Sequence, residues 1–335
     1  MDSVTQLLLG AAVGDSVAGR EVGRKASAWG AFLGTLPDLD VFIRYTNPVD
    51  NFTYHRGFSH AIPVILLLTP LLVWLILKIH PQTAQHRQRW IWLVLLVLLT
   101  HVLLDATTIY GTQLLWPFTE YPFGLGSLFI IDPLYTVPLL IAVISVQLMR
   151  ADRRQVLARR ILSLGLVLST TYLLWSLLAQ SWATDRVERL LAANSIEPSV
   201  LTVTPAPFNT LLWRFVARVD GGYHDGFVSL LDGEAGSSVY FHPSADQHLP
   251  ELENFASAAR LFWFTKGQFS IEDVDGELVV SDLRMGVSPD YVFNFAVAGY
   301  DGDVVREIEP RRISRRNFSW QKLGLIFRRI VDPTL

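Results

Sequence analysis

His101 and Asp105 stand four residues apart in an apolar run that begins at Trp90. On a helix, that spacing projects both side chains from one face. The rest of that face is Leu, Val and Thr, at a depth where polar groups are expensive. An imidazole and a carboxylate on one helical face is a common way to hold a divalent metal. Other polar groups in costly or unexpected places could converge on this pair: Asp38 and Asp40 just after Pro37, His55, Arg56 and His60 in a polar stretch, and Asp132 before Pro133. With no cysteine in the chain, any metal must be held by His, Asp, Glu or backbone oxygens. Histidines combined with several carboxylates suit Zn²⁺, with Mn²⁺ the next choice. Such an ion would acidify a bound water and polarise a phosphoryl or carbonyl oxygen. The expected ligands are Asp38, Asp40, His55, His60, His101 and Asp105. Asp132 and Arg56 are expected to act in catalysis, as support or substrate contacts, with Arg56 facing an anionic group. Each residue alone has a plainer reading. The His101/Asp105 pair could be a hydrogen bond inside a bundle, Asp38 and Asp40 could favour the positive end of a helix, and Asp132 could be a helix cap. Together they favour a shared site.

The elements that must position these groups are membrane helices. Half of the 335 residues are hydrophobic, and nearly all the long apolar runs precede residue 182. Residues 61–79, 90–106, 133–149 and 161–181 read as spans, since ~20 apolar residues cross the hydrocarbon core. Residues 3–19 and 26–43 are rich in small residues and read as a helical hairpin; Pro37 should end or restart its second helix. The basic loops 78–89 and 150–160, and the turn with Arg20, Arg24 and Lys25, all point to one orientation with these loops inside. That orientation places 44–60, 106–132 and everything after 182 outside, and sets His101 and Asp105 near the outer end of their span. Segment 107–132, aromatic and punctuated by Gly and Pro, suits an interfacial or re-entrant stretch.

From residue 200 the period shifts toward two. Strands are expected at 200–204, 212–219, 226–231, 237–241, 268–273, 277–283, 291–298 and 303–308, with helices at 183–195 and 249–261. Turns such as Asp275-Gly276 and Asp301-Gly302 separate the strands. The fold class is therefore an α-helical polytopic membrane domain (1–182) followed by a mostly antiparallel β, α+β extracytoplasmic domain (183–335). Here His224, His242 and His248 are scattered, and Asp282 with Arg284 reads as a surface ion pair. A net charge of −3 and the lack of a basic, aromatic-laced groove argue against nucleic acid as a partner. There is no G-x-S-x-G, phosphate loop or H-E-x-x-H.

The ordered motifs Leu36-Pro37-Asp38-Leu39-Asp40, His55-Arg56-Gly57-Phe58-Ser59-His60, His101-Val102-Leu103-Leu104-Asp105 and Tyr110-Gly111-Thr112-Gln113-Leu114-Leu115-Trp116-Pro117-Phe118 resemble bacterial inner-membrane proteins described as membrane-bound metal-dependent hydrolases, the YdjM/YbcI-like group. Ile130-Ile131-Asp132-Pro133 is similar to that family too. The resemblance covers the first half of the chain; Pro205–Trp213 resembles the longer members with an added C-terminal domain. Ser59 stands where many relatives have Thr. The resemblance implies a multi-pass protein of the bacterial inner membrane and a metal-dependent hydrolase. The expected substrate is an ester or phosphoester of a lipid-like molecule at the outer face, with membrane lipid as the surrounding partner. The alternatives are a non-catalytic, metal-stabilised scaffold binding an envelope partner, or a transporter.

Overall fold

The computed structural model describes all residues except 150–154, 234–236, 315–319 and 334–335. Arg150, Arg153 and Arg154 of the expected basic loop lie outside the described residues. The chain divides into two compact units, Met1–Phe42 with Arg56–Leu177, and Ile43–His55 with Leu178–Leu335.

The first unit opens with α1 (Ser3–Val22) and α2 (Arg24–Thr35), the expected hairpin. Gly10, Gly14, Gly30 and Gly34 bring the two helices into backbone contact: a Cβ on Gly30 would lie 2.2 Å from the Gly10 carbonyl oxygen. Pro37 ends α2 as expected, and Pro37–Phe42 continues as a 3-10 turn. Further on come α4 (Ile62–Ile79), α5 (Arg87–Ala106) and α6 (Pro133–Met149), with α3 (Pro48–Tyr54) in the other unit. Helix α5 buries Trp90, Leu93, Val94, Val97, Leu98, His101, Val102 and Asp105, so its polar pair shares the face that packs against its neighbours. Helix α4 buries only Ile65, Thr69, Val73 and Ile76, one stripe, and exposes Leu66, Leu67, Leu71 and Trp74. An apolar helix with a single packed stripe is built for a hydrocarbon surround. Three described helical stretches are long and apolar enough to cross a membrane, namely Ile62–Ile79, Pro81–Ala106 and Gln155–Ala193; α6, with 17 residues, is shorter.

Segment 107–132 forms no helix. Thr112 and Phe123 exchange backbone hydrogen bonds of 2.7 and 3.0 Å, and the Leu125 and Ser127 amides donate to the carbonyls of Ala106 and Thr107. These bonds satisfy part of the segment's irregular backbone internally. Helix α7 runs unbroken over Gln155–Ala193 and joins the expected span 161–181 to the expected separate helix at 183–195. No Gly or Pro occurs between them to stop it.

The second unit holds two antiparallel sheets of four strands. The first pairs β1 (Val200–Pro205), β2 (Leu212–Val219), β3 (Gly222–Ser229) and β4 (Tyr240–Pro243) in sequence order. The second has β5 (Phe269–Val274), β6 (Glu277–Asp282), β9 (Asn294–Asp301) and β10 (Val304–Arg312) in the order β10-β9-β6-β5. A short ladder pairs β7 (Gly286–Val287) with β8 (Asp290–Tyr291). The α+β layout read from the sequence is present, with strand boundaries moved by a few residues, as in β4 and β9, which lie three residues beyond the expected starts. Strand β3 begins at Gly222, not 226, because Asp220-Gly221 supplies the turn; Gly226 sits inside it, where a Cβ would strike the Phe215 ring and the Ser238 carbonyl. The helix expected over 249–261 is two, α8 (Leu249–Leu252) and α9 (Ala256–Thr265). The polar stretch 44–60 contains α3 (Pro48–Tyr54), capped by Asn47. Its Phe52 packs among Phe264, Phe293 and Phe295, which is why Ile43–His55 groups with this unit. Asp282 and Arg284 are not a surface pair: both are buried, joined by bonds of 2.9 and 2.7 Å, and the guanidinium lies over Phe264. A last helix, α10 (Trp320–Arg329), is anchored by Arg329 on Asp232.

Candidate metal centre

Four of the expected ligands converge. Single donor atoms of Asp38, His60, His101 and Asp105 all lie within 4.8 Å of one another. They come from different elements: the 3-10 turn after α2, the turn before α4, and α5. His60, His101 and Asp105 are fully enclosed, while Asp38 forms the partly exposed edge. His60 Nε2 is 3.2 Å from Asp105 Oδ2 and 3.4 Å from Asp38 Oδ1; His101 Nε2 is 3.5 and 3.6 Å from the same atoms. The two Nε2 atoms face each other at 3.3 Å.

The remaining hydrogen bonds say which atoms are left to bind a cation. His101 Nδ1 lies 2.7 Å from the Gly34 carbonyl oxygen, which only accepts, so Nδ1 carries the proton. Ser59 Oγ donates to Asp40 Oδ2 at 2.8 Å and is thereby available to accept from His60 Nδ1 at 2.9 Å. In neutral imidazoles this turns both Nε2 lone pairs inward, at each other and at two carboxylates. Asp105 divides its labour likewise. Oδ1 accepts from Gln6 Nε2 at 3.0 Å and from the α-amino group of Met1, whereas Oδ2 accepts no hydrogen bond. Converging lone pairs at such distances require a cation among them, either shared protons or a metal. The donor set, two imidazoles and two carboxylates in a buried site, fits a divalent ion. The groups that fix each imidazole from behind are what a metal-ligating histidine needs.

The other expected site residues fall elsewhere. Asp40 stands behind His60, 3.7 Å from Nδ1, with Oδ2 accepting from Ser59 and from the Arg56 amide. The 3-10 turn explains the split: at three residues per turn, residues two apart face different directions, so Asp38 and Asp40 do not aim at one point. His55 caps the end of α3 and belongs to the C-terminal unit. Arg56 follows in left-handed conformation (φ 62°) with its side chain turned inward. Its Nε lies 3.3 Å from Asp105 Oδ2 without hydrogen-bond alignment, its Nη1 donates to Thr108, and the guanidinium covers the Tyr110 ring. In this arrangement Arg56 is a buried counter-ion to Asp105. Asp132 caps α6 through the Leu134 amide and accepts from the Tyr172 hydroxyl at 2.9 Å; burial raises its pKa against the pull of that bond.

Three supporting groups escaped the sequence reading: Gln6, Ser59 and the Gly34 carbonyl. Gln6 carried a signal, as an amide in a small-residue apolar helix. Ser59→Ala removes the link between His60 and Asp40 and is expected to weaken metal retention by about 10–100-fold with little change in folding. Titration of metal-stripped protein with Zn²⁺ checks this, and wild-type affinity in the variant would mean Ser59 does not orient the ring.

The family model described as YdjM inner membrane protein matches residues 1–183, a stretch that contains all four converging residues. An uncharacterised protein of Bacillus subtilis (strain 168), YfhP, is 31% identical over 153 residues, 43% of this chain and 45% of that protein, so the similarity spans about half of the relative's length. No solved structure matches the chain. With the helical unit matched from end to end of its apolar region, the chain belongs to the YdjM inner membrane protein family.

Proposed function

We propose that this protein is a metal-dependent hydrolase of the bacterial inner membrane, holding Zn²⁺ (or Mn²⁺) on Asp38, His60, His101 and Asp105 and cleaving an ester or phosphoester of a lipid-like substrate. The observation that carries the reading is the inward convergence of four donor atoms, with the other polar atom of His60, His101 and Asp105 already committed elsewhere. When bound there, the metal would supply an acidified water and a polarised substrate oxygen. The chain's own residues do the rest. Gly34 and Ser59 fix the imidazole tautomers, Gln6 turns the Asp105 carboxylate, and Arg56 balances its charge. Asp38, on the accessible edge, is the ligand beside which a substrate enters. Asp40, buried behind His60, is placed to take up a proton through Ser59.

A multi-pass arrangement with the site near the outer face, and with the C-terminal domain outside, is part of this proposal. It rests on the basic loops and on the position of His101 and Asp105 at the end of α5.

A second reading is a metal-stabilised or ion-paired scaffold without turnover. Arg56 favours it, because a buried guanidinium beside Asp105 already balances one carboxylate. The test is elemental mass spectrometry of the detergent-purified protein, followed by phospholipid and phosphoester hydrolysis with and without chelator. The proposal expects stoichiometric metal, its loss in His101→Ala, and hydrolysis that chelation abolishes and Zn²⁺ or Mn²⁺ restores. Retention should fall as pH drops, since the ligands bind only when deprotonated. Bound metal with no hydrolysis of any ester would leave the scaffold. Absence of metal after reconstitution would sink both metal readings.

A further inference from the structure

The C-terminal unit carries a second set of chemistry-bearing side chains. Directly opposed residues of antiparallel strands share a sheet face. On β3 and β4, Tyr223 opposes His242 and Asp225 opposes Tyr240; on β2 and β3, Val216 opposes Asp225 and Arg218 opposes Tyr223. By strand alternation, Arg214, Asp225, Tyr223 and His242 therefore project from one face. Asp225 Oδ2 accepts from Arg214 Nη2 at 3.0 Å, and Oδ1 lies 2.9 Å from His242 Nε2. The other ring nitrogen, Nδ1, is 3.3 Å from Ser288 Oγ, on the turn between β7 and β8. Tyr223 stacks on the His242 ring at 4.9 Å. Its hydroxyl accepts from Tyr291 at 2.8 Å and hydrogen-bonds Ser288.

We propose that Ser288, His242 and Asp225 form a serine-nucleophile site that hydrolyses acyl esters independently of the metal centre. Asp225 accepts the Nε2 proton and so fixes the tautomer with its lone pair on Nδ1, where the Ser288 hydroxyl donates. The ring runs the opposite way from the usual serine hydrolase, but the chemistry needs only one nitrogen donating to a carboxylate and the other accepting from the nucleophile. Arg214 holds the carboxylate from its far side, also donating to the Leu283 carbonyl at 2.7 Å.

In the reaction, Ser288 Oγ bonds to the ester carbonyl carbon while its proton passes to His242 Nδ1 and the π pair moves onto the carbonyl oxygen. Tyr223, whose oxygen accepts from Tyr291 and whose proton points to Ser288 Oγ at rest, turns that proton to the oxyanion once Oγ has bonded to the carbonyl carbon. Collapse breaks the bond to the alcohol, which leaves with the proton from Nδ1. Water then adds to the acyl-serine by the same route, releasing the carboxylic acid and restoring the Ser288 hydroxyl. The sum is ester plus water to acid plus alcohol.

Access and substrate class follow from the surroundings. The His242 side chain is 28% exposed and Ser288 is half-buried, so a carbonyl can approach Oγ from solvent. Tyr240, on the Asp225 face, is exposed, an apolar surface suited to an acyl chain rather than a charged one. A structural ion pair needs only Arg214 and Asp225. It does not account for a histidine and a serine in line on the accessible side.

The test is a fluorophosphonate probe applied to the full-length protein in detergent, in parallel with and without chelator. Phosphonylation with loss of fluoride should mark the peptide carrying Ser288. Labelling should vanish in Ser288→Ala, and in His242→Ala its rate should fall about 10²–10⁴-fold. Hydrolysis of p-nitrophenyl butyrate should follow the same order. Both variants spare Arg214 and Asp225, and a thermal unfolding curve matching wild type excludes loss of fold. An unlabelled wild type, or equal labelling in Ser288→Ala, would overturn the proposal without touching the metal reading. Loss of labelling only when the chelator is added would overturn its independence from the metal.

Discussion

Asp105→Ala is expected to lose the bound metal and to be the least stable of the four single-ligand variants. The carboxylate is fully buried, with Gln6 on one oxygen and Arg56, His60 and His101 around the other. Removing it takes away a ligand and also leaves the Arg56 guanidinium buried beside no acid. Breaking a buried pair from one side costs about 3–5 kcal/mol. Asp38→Ala removes a ligand at the partly exposed edge and should lose metal with a much smaller penalty in folding. The two losses can be separated. Asp105→Ala combined with Arg56→Met removes both charges, so thermal unfolding should recover part of the way while metal content stays at zero. Elemental analysis and unfolding of the same preparations read both quantities. If Asp105→Ala kept wild-type metal, the carboxylate would be a structural acid and the ligand set would have to be redrawn.

Much of this site was legible because its surroundings are apolar. His101 and Asp105 stand out in a helix that otherwise offers Leu and Val, and His60 and Asp38 border similar runs. Convergence on a common point was not legible for every member. Asp38 and Asp40 look equivalent in the sequence, but on the helical turn Pro37–Phe42 residues two apart face different ways, so one points inward and the other stands behind His60. His55 and Arg56 are neighbours in the chain, yet one closes α3 and the other turns inward at a left-handed residue. Arg56 read as a substrate contact because a sequence shows a charge but not its burial. The same blindness made Asp282 and Arg284 look like surface residues. Periodicity located the strands to within a few residues, since alternation and Asp-Gly turns are local signals, and erred at the start of β3, where Gly222 reads as part of the turn but already pairs with Val219. What no periodicity carries is the backbone itself as a partner: the Gly34 carbonyl that sets the His101 tautomer has no side chain to announce it.

That carbonyl makes the second large effect predictable at a distance from any ligand. Gly30→Val should cost metal retention although residue 30 touches no donor atom of the site. Its Cβ would come within 2.2 Å of the Gly10 carbonyl oxygen and 3.2 Å of Gly14 Cα, both backbone, so nothing flexible can yield. The helices α1 and α2 must move apart, and overpacking of this kind costs about 1–3 kcal/mol or more. Both helices hold the site from behind: α2 presents the Gly34 carbonyl to His101, and α1 presents Gln6 to Asp105. Separating them therefore loosens an imidazole and a carboxylate together. Gly30→Ala, which adds the same Cβ but no branches, should fall in the same direction with a smaller loss. Gly324→Ala on α10, with open space around its Cβ, serves as the control and should leave metal content unchanged. If Gly30→Val lowered the unfolding temperature and yet bound Zn²⁺ as wild type does, the hairpin would be a packing element alone. Joint loss of stability and metal would show instead that the small-residue stripe is part of how the centre is aimed, because the close approach of two backbones is what brings a main-chain oxygen within reach of a buried histidine.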